Sequence, residues 1–260
     1  MKSIKIKCPA KINLDLRVFK KDPNTGYHPL KSIMQTISLF DYLTISIDDG
    51  TGIELCGNSD EIPYDESNIC YKAATKLLNK IKKNYHIKIE IEKNIPVCAG
   101  LAGGSTDGAG TLYGLNKLLK SPLKNKDLHK LAFELGSDLN FCLEGGTQLC
   151  TGRGEKMIKM PFYDFKLALI KPKNLKISAK EAYEAFDNLD IESDMRNDLE
   201  FALLRNGNYP ELHYLTSLGF QMSGSGPTYF QRDKNINLNN KKYLVINDLN
   251  SVEHGVIEVK

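Results

Sequence analysis

The strongest constraint on this 260-residue chain is a glycine-rich segment at residues 96–106, between a predicted strand and a predicted helix. Upstream, three isoleucines in residues 87–91 alternate with charged residues, which is the period of a half-buried strand. Downstream, four leucines in residues 112–119 recur at helical spacing. This order directs unpaired backbone N–H groups of a helix N-terminus toward one point, where the helix dipole favours an anion. The segment therefore predicts a phosphate-binding loop.

The type of loop narrows this prediction. Gly100, Gly103 and Gly104 allow close approach of an anion and positive φ angles, while Ser105 and Thr106 add hydroxyl groups. No lysine precedes Ser105, so the segment is not a Walker A motif, and it does not match GxGxxG. A glycine-rich turn before a helix also occurs for packing alone. The segment by itself leaves both interpretations open.

Composition excludes several classes of protein. The net charge is only +3 and the lysines are scattered, which argues against a nucleic-acid-binding protein but allows a basic cleft for a phosphorylated ligand. No apolar run approaches the roughly 18 residues of a membrane span. The first residues alternate lysine and isoleucine as a strand does, unlike a signal peptide. We therefore expect a cytoplasmic protein with no membrane and no nucleic-acid partner.

The cysteines predict no metal or disulfide site. They show no CxxC spacing and no spacing with histidine, and the histidines do not cluster. Buried free thiols in a reducing compartment are the expected state. The six cysteines are Cys8, Cys56, Cys70, Cys98, Cys142 and Cys150.

Strands and helices are predicted in mixed order, which favours an α+β fold over a doubly wound sheet. A change of composition at residues 159–165 predicts a boundary between residues 1–160 and residues 161–260. The predicted strands are 3–20, 31–48, 87–91, 166–171, 227–231, 242–247 and 255–259. The predicted helices are 66–83, one after residue 106, 126–135, 178–187, 197–204 and 209–218.

Three polar side chains are candidates for chemistry. Lys11 and Asn13 stand two residues apart, so they share one face of a strand, either as a site or as a solvated surface. Asp138 follows Gly136 within an apolar stretch. It is either the cap of the next element or a positioned general base, and the sequence does not separate the two.

Two turns complete the set of candidate segments. Tyr27 and His28 follow a glycine, and an aromatic ring beside an imidazole suits a planar heterocycle, although an ordinary surface turn has the same composition. Residues 222–227 form a second glycine-rich turn, which suits a phosphate-bearing ligand or a plain loop. Two glycine loops, a lysine and an aspartate are together what phosphoryl transfer requires: positioned phosphates, positive charge and a base for the acceptor hydroxyl. The lysine would keep the aspartate ionised.

In this order, the segments resemble the GHMP kinase superfamily, whose glycine-rich loop takes the place of a Walker A motif. More narrowly, the chain is similar to the 4-diphosphocytidyl-2-C-methyl-D-erythritol kinases of the non-mevalonate isoprenoid pathway. The resemblance spans nearly the whole chain. It rests on residues 9–14, 26–28, 65–68, 96–107, 136–138, 151–155, 197–200 and 222–227.

The resemblance implies a two-domain GHMP kinase fold with the active site in the cleft between the domains. Residues 1–160 would be the ATP-binding domain, and residues 161–260 a C-terminal domain that is short for the family. The implied reaction is ATP-dependent phosphorylation of the 2-hydroxyl of 4-diphosphocytidyl-2-C-methyl-D-erythritol. The implied cofactors are ATP and Mg²⁺. The protein ligands of the metal are not indicated, and Ser105 is only a candidate.

The resemblance also assigns roles to individual residues. Asp138 matches the catalytic base and Lys11 its partner. The implied residues for the cytidine diphosphate end of the acceptor are Asn13, Tyr27, His28 and Tyr183. Those near ATP are Asn68 and Lys93 at the adenine and Pro96, Val97, Cys98, Ala99, Gly100, Leu101, Ala102, Gly103, Gly104, Ser105 and Thr106 at the phosphates. Ser223, Gly224, Ser225 and Gly226 would face that loop across the cleft.

Three residues depart from the family pattern. Ala102 stands where many members have glycine, which is expected to stiffen the loop. Gly108 replaces a usual alanine early in the following helix, at a cost of roughly 0.5–1 kcal/mol. Asn140 replaces a common proline, which puts the rigidity of the turn at Asp138 in doubt.

Two alternative functions remain open from the sequence. One is a sister kinase acting on homoserine or a mevalonate-type alcohol, although these acceptors carry no base for Tyr27 and Tyr183 to stack against. The other is a nucleotide-binding or regulatory protein that keeps the kinase fold without turnover. This chain retains both Lys11 and Asp138, which argues against a protein without turnover. The sequence indicates a small-molecule partner and leaves the oligomeric state open.

Overall fold

The computed structural model describes residues 2–189, 192–238 and 241–259. Strands and helices alternate irregularly along the chain, as predicted, and the fold is α+β. The helices are α1 (Ile69–Ile81), α2 (Gly103–Leu118), α3 (Asn125–Leu135), α4 (Leu139–Glu144), α5 (Ala179–Asp187), α6 (Asp198–Asn206) and α7 (Pro210–Ser217). The strands are β1 (Lys2–Val18), β2 (Leu30–Asp48), β3 (Gly52–Gly57), β4 (His86–Glu92), β5 (Thr147–Gly152), β6 (Lys156–Lys159), β7 (Lys166–Pro172), β8 (Gln221–Met222), β9 (Tyr229–Arg232), β10 (Tyr243–Asn250) and β11 (Ile257–Glu258).

A seven-stranded sheet carries the first part of the chain. Its strands lie in the order β11-β1-β2-β4-β3, and β5 pairs with β2 and then with β6. The isoleucines of β4 are buried and the charged residues between them are exposed, which confirms the predicted alternation. Helices α1 to α4 supply the other side of this core, which includes Leu77, Leu112, Leu115 and Phe141.

Helix α2 packs closely on β1 because it presents glycines to it. A Cβ atom added at Gly110 would lie 2.4 Å from the sulfur of Cys8. At Gly114 it would lie 2.9 Å from a methylene group of Ile6, which also belongs to β1. Real Cβ atoms do not approach other heavy atoms so closely, so alanine at either position would require the helix or these side chains to shift. The close packing fixes the N-terminal end of α2 relative to β1, which both contribute to the cleft.

A four-stranded sheet in the order β10-β7-β9-β8 forms the second part, and α5, α6 and α7 pack with it. A separate apolar cluster joins the two sheets. It combines Ile12 of β1 and Leu101 of the glycine loop with Leu167, Phe230 and Leu249 of the second sheet. The glycine loop is therefore anchored from both parts of the chain.

The predicted boundary near residue 160 stays a prediction. All strands of the four-stranded sheet come from residues 166–250. The last strand, β11, instead pairs with β1, so that Ile6 stands opposite Glu258 in the seven-stranded sheet. The chain thus returns to the first sheet at its C-terminal end.

Helix α4 and strand β3 are among the elements that were not predicted from the sequence. Helix α4 has six residues, and Leu139, Asn140, Phe141 and Cys142 are all buried, so it shows no amphipathic pattern. Strand β3 is a partly exposed edge strand that pairs in parallel with β4. Among the described residues, no helix is both long enough and apolar enough to cross a membrane.

Candidate active site

The candidate site is a cleft of about 1040 Å³ between the glycine loop and the segments that the sequence singled out. Most of the predicted site residues line it. They are Lys11, Asn13, Tyr27, His28, Asn68, Lys93, Pro96, Val97, Cys98, Ala99, Gly100, Leu101, Ala102, Gly103, Gly104, Ser105, Asp138, Tyr183, Gly224 and Ser225. Thr106, Ser223 and Gly226 are buried behind this surface and do not belong to the lining residues.

Lys11 and Asn13 lie at the base of the cleft and are not a solvated strand face. Their exposed fractions are 4% and 2%. Lys11 Nζ donates to Asn13 Oδ1 at 2.6 Å, and Asn13 Nδ2 donates to the hydroxyl of Ser32 at 2.8 Å. The Ser32 hydroxyl donates in turn to the carbonyl of Asp15 at 2.6 Å. Because this chain of hydrogen bonds is buried, it holds the ammonium group in one position.

Asp138 faces the same ammonium group. Its Oδ2 lies 3.6 Å from Lys11 Nζ, and the carboxylate is about a quarter exposed. Asp138 stands directly before α4, but its side chain makes no capping hydrogen bond to that helix. The interpretation as a side-chain cap is therefore wrong, and the carboxylate lines the cleft; its role as a general base stays a prediction.

The glycine loop presents backbone donors to the cleft. The first hydrogen bond of α2 runs from Thr106 N to Ala102 O at 2.9 Å, so the N–H groups of Gly103, Gly104 and Ser105 precede the helical ladder. They stand at the N-terminus of a 16-residue helix, where the dipole adds partial positive charge. An anion such as a phosphate fits this position.

The two glycine loops are in direct contact. Ser223 Oγ donates to Gly100 O at 3.0 Å, and a Cβ atom at Gly100 would lie only 2.2 Å from Ser223 O. A Cβ atom at Gly224 would lie 3.0 Å from Lys11 Nζ. Glycine at both positions therefore permits the loops to meet each other and Lys11.

Asn197 holds the second glycine loop in place. Its Nδ2 donates to the carbonyl oxygens of Met222 and Gly224, both at 2.9 Å. Its Oδ1 accepts from the backbone N–H groups of Leu199 and Glu200, so it also caps α6. One buried amide side chain thus links the start of α6 to the loop.

The far end of the cleft is aromatic. The ring of His28 stacks on Tyr183, with centroids 5.2 Å apart and an angle of 28° between the planes. The histidine Nδ1 lies 2.9 Å from Phe19 O, and its Nε2 lies 3.2 Å from Asp187 Oδ1. Burial raises the pKa of the Tyr183 phenol to about 12. Tyr27 remains half-exposed at the rim.

Two of the residues predicted near ATP already have partners within the protein. Asn68 caps α1, accepting from Cys70 N at 2.8 Å and donating to Pro63 O at 2.6 Å. Lys93 forms ion pairs with Asp41 and with Asp107, the latter at 3.1 Å. Contact of either side chain with adenine stays a prediction.

The charges around Lys93 were not predicted from the sequence. Asp41 accepts the backbone N–H groups of Asn94 and Ile95 at 2.6 and 2.8 Å, directly before the glycine loop. Asp107 lies in α2, directly after that loop. Burial raises the pKa of Asp107 well above its usual range. The ion pairs therefore connect both ends of the glycine loop beneath the cleft.

Gly108 and Asn140, two of the three departures from the family pattern, are accommodated by contacts with neighbouring side chains. A Cβ atom at Gly108 would lie 3.0 Å from Ile69 and 3.1 Å from Leu139, whose side chains fill the space of the missing methyl group. Asn140 Oδ1 lies 3.1 Å from His129 Nδ1, which ties the first turn of α4 to α3. The Asp138 turn is thus supported by a side-chain contact.

The alanine in the glycine loop predicts an effect on stability. Ala102 has φ 58° and ψ 30°, the left-handed region, which costs a residue with Cβ roughly 1–2 kcal/mol. Ala102→Gly removes that cost and adds about 0.5–1 kcal/mol of chain entropy. We expect the free energy of unfolding in urea to rise by up to about 1 kcal/mol. Ala109→Gly, within α2, is the control and should lower it; a loss in both variants would contradict the prediction.

The His129–Glu144 pair predicts a pH dependence of stability. The hydrogen bond between His129 Nε2 and Glu144 Oε1, at 2.7 Å, raises the pKa of His129 and lowers that of Glu144. The histidine contribution is complete below the unfolded-state pKa of about 6.5 and is lost as pH rises through the raised folded-state pKa. The carboxylate contribution is lost as pH falls through the lowered pKa. We expect His129→Gln to destabilise the protein more at about pH 5.5 than at about pH 8.5 in urea unfolding; an equal effect at both would contradict this.

The described residues contain no cluster of metal-binding side chains, and their cysteines differ in exposure. Within residues 2–189, 192–238 and 241–259, no group of three or more His, Cys, Asp or Glu residues is arranged to hold a metal ion. The cysteines are free thiols. Four are buried as predicted, but Cys56 is partly buried and Cys98 is exposed on the glycine loop, so the prediction of burial was wrong for these two.

Comparison with known proteins identifies the family. The model of the GHMP kinases N terminal domain matches residues 68–146. The 4-diphosphocytidyl-2-C-methyl-D-erythritol kinase of Clostridium botulinum (strain Alaska E43 / Type E3) is 43% identical over 256 residues, covering 86% of this chain and 89% of the relative. A kinase of the same name from Syntrophomonas wolfei is 37% identical, covering 87% and 88%. The chain belongs to the 4-diphosphocytidyl-2-C-methyl-D-erythritol kinase family.

Solved structures agree with this membership. A crystal structure of 4-(cytidine 5'-diphospho)-2C-methyl-D-erythritol kinase superposes with a TM-score of 0.72 at 29% identity, covering 87% of this chain and 89% of that one. Homoserine kinase from Cytophaga hutchinsonii superposes with a TM-score of 0.70 at 16% identity, covering 100% and 98%, and shows the fold alone. The GHMP kinase fold expected for this family member is thereby confirmed.

Proposed function

We propose that this chain transfers the γ-phosphoryl group of ATP to the 2-hydroxyl of 4-diphosphocytidyl-2-C-methyl-D-erythritol. Membership of the family supports the reaction, and one observation in the site carries the assignment of residues. Lys11 Nζ lies between Asn13 Oδ1 at 2.6 Å and Asp138 Oδ2 at 3.6 Å, where the two glycine loops meet. A buried cation beside a carboxylate that does not cap a helix suits a reaction in which a hydroxyl loses a proton.

In the proposed step, Asp138 takes the proton of the acceptor hydroxyl as its oxygen bonds to the γ-phosphorus. The bond from that phosphorus to the oxygen bridging it to ADP breaks, and ADP leaves with the electron pair. Lys11, beside the carboxylate, stabilises the negative charge that develops on the oxygens. Asn13 and Ser32 hold the ammonium in place, so little reorganisation is needed during reaction.

The phosphates of ATP would lie on the backbone N–H groups of Gly103, Gly104 and Ser105. The GHMP family implies ATP as the donor, and these donors fit its phosphates. Mg²⁺ takes most of its ligands from water and substrate phosphates, so it requires no cluster of acidic residues. Ser105, which lines the cleft beside these amides, is the residue that would hold it. The ion would neutralise charge on the transferring phosphoryl group.

The cytidine end of the acceptor would lie against Tyr27, His28 and Tyr183. Aromatic rings stack on a pyrimidine, and such contacts contribute roughly 0.5–1.5 kcal/mol beyond burial. Homoserine and mevalonate present no ring to this end of the cleft. The aromatic lining therefore supports the cytidylylated alcohol over the acceptors of the sister kinases.

Release of ADP from Mg-ATP tests the proposal. We expect turnover with 4-diphosphocytidyl-2-C-methyl-D-erythritol and none with homoserine or mevalonate. CMP should compete with the acceptor because it occupies the aromatic end of the cleft. Turnover of homoserine or mevalonate without inhibition by CMP would favour the sister kinases, whereas ATP binding without turnover of any acceptor would favour a regulatory role.

A further inference from the structure

Arg153 lines the cleft, and neither the phosphoryl transfer nor the aromatic pocket gives it a role. It stands in the turn between β5 and β6, flanked by Gly152 at φ +74° and Gly154 at φ +112°. Glu155 Oε2 accepts the backbone N–H of Arg153 at 2.6 Å. A Cβ atom at Gly152 would lie 2.6 Å from that carboxylate. The glycines and Glu155 therefore build a tight turn that presents the arginine.

The guanidinium group rests on aromatic rings instead of on a carboxylate. Its Cζ lies 3.6 Å from the ring centroid of Tyr27 and 5.0 Å from that of Phe133. Such stacking holds a guanidinium in place while its planar set of N–H donors stays available. Its Nε is buried without a hydrogen-bond partner. Across the described ranges, no carboxylate forms an ion pair with it. A buried donor without a partner costs free energy, and no ion pair with the protein offsets that cost.

The position of the turn indicates which part of a ligand it faces. On one side, Arg153 contacts Tyr27, at the nucleoside end of the cleft. On the other side, the turn packs on the segment that carries the proposed base, because a Cβ atom at Gly154 would lie 3.4 Å from Ser137 O. The acceptor has its diphosphate between its nucleoside and its alcohol. That diphosphate must therefore pass between these two places.

We propose that Arg153 binds the diphosphate of the acceptor. This assignment rests on the proposed function. A guanidinium donates two parallel hydrogen bonds to phosphate oxygens, and such charged bonds are stronger than neutral ones. Because its guanidinium stacks on Tyr27, the same side chain also holds the tyrosine ring that would face the cytosine. Arg153 thus sets the distance between the cytosine and the alcohol of the acceptor. It also supplies the positive charge that the cleft requires at the diphosphate between them.

Binding of cytidine, CMP and CDP to the full chain, measured by calorimetry, tests the proposal. Arg153→Met keeps an unbranched side chain over Tyr27 and removes the charge. We expect it to weaken CDP binding by roughly tenfold to a hundredfold while cytidine binding changes little. Arg153→Lys keeps a point charge and should recover part of the preference for CDP. Arg232→Met is the matched control, since Arg232 is exposed outside the cleft with its Cζ 5.7 Å from the ring of Phe165.

The outcomes separate the role of Arg153 from the function itself. If Arg153→Met weakened the binding of cytidine and CDP equally, Arg153 would only support Tyr27. If the binding of both ligands were unchanged, Arg153 would face no phosphate. Either result overturns the proposal. Unchanged ATP binding shows that the variants are folded. If the wild-type protein bound no CDP and did not turn over the cytidylylated alcohol, the proposed function would fail on the wild type, and this assignment would fall with it.

Discussion

Asp138→Asn is expected to reduce kcat by about 10²–10⁴ because the amide can no longer accept the proton of the acceptor hydroxyl. The substitution keeps the size of the side chain. It also removes no hydrogen bond from α4, since the carboxylate does not cap that helix. ADP release under saturating Mg-ATP and acceptor measures kcat, and titration with ATP measures nucleotide binding, which should be retained. A loss of kcat at unchanged ATP affinity identifies a defect in the chemical step.

The matched control for this substitution is Asp164→Asn. Asp164 is exposed and does not line the cleft, so the same chemical change there should leave kcat unaltered. Full activity of Asp138→Asn would remove Asp138 from the mechanism. Loss of ATP binding together with activity would instead assign the carboxylate to the nucleotide site. The pair of variants therefore separates proton acceptance from general damage to the protein.

Local sequence patterns predicted those parts of the site that are continuous in the chain. The alternation in β4, the glycines after it and the leucines of α2 are each visible within a few residues, and together they predict a phosphate-binding loop at a helix N-terminus. Lys11 and Asn13 were predicted to share a face, and the structure places both on the floor of the cleft. Periodicity and backbone chemistry act over short distances, so one sequence suffices to find them.

The parts that the sequence did not predict depend on contacts between distant segments. Asp41 is 52 residues from Lys93, and nothing near either residue indicates that they meet. Arg153 reaches Tyr27 only because β5 pairs with the start of β2, beside the turn that carries Tyr27. The sequence also gave no sign that Lys11 is buried. A lysine on a strand usually faces water, whereas the second glycine loop covers Lys11. Such features follow from the topology, which periodicity does not encode.

Lys93→Met is expected to have the largest effect on stability, lowering the free energy of unfolding by roughly 3–5 kcal/mol. The substitution leaves Asp41 and Asp107 facing each other in the interior with no cation between them. The side chains of all three residues are at most 5% exposed, so the carboxylates left without the cation gain no solvation from water. Urea unfolding followed by circular dichroism measures the change, provided that the dependence on denaturant concentration stays the same.

The control for this prediction is Lys76→Met, which breaks an exposed ion pair with Glu134 at 2.6 Å. Exposed pairs contribute about 0–1 kcal/mol, so this variant should unfold nearly as the wild type does. If Lys93→Met were equally mild, the buried ion pairs would not hold the ends of the glycine loop, and Lys93 would be free to serve ATP as the family resemblance implies. A large loss in Lys93→Met alone means that the lysine is required for the loop itself. Any weaker ATP binding in that variant would then follow from a displaced loop, because the backbone donors of the loop act only in the position that these charges fix.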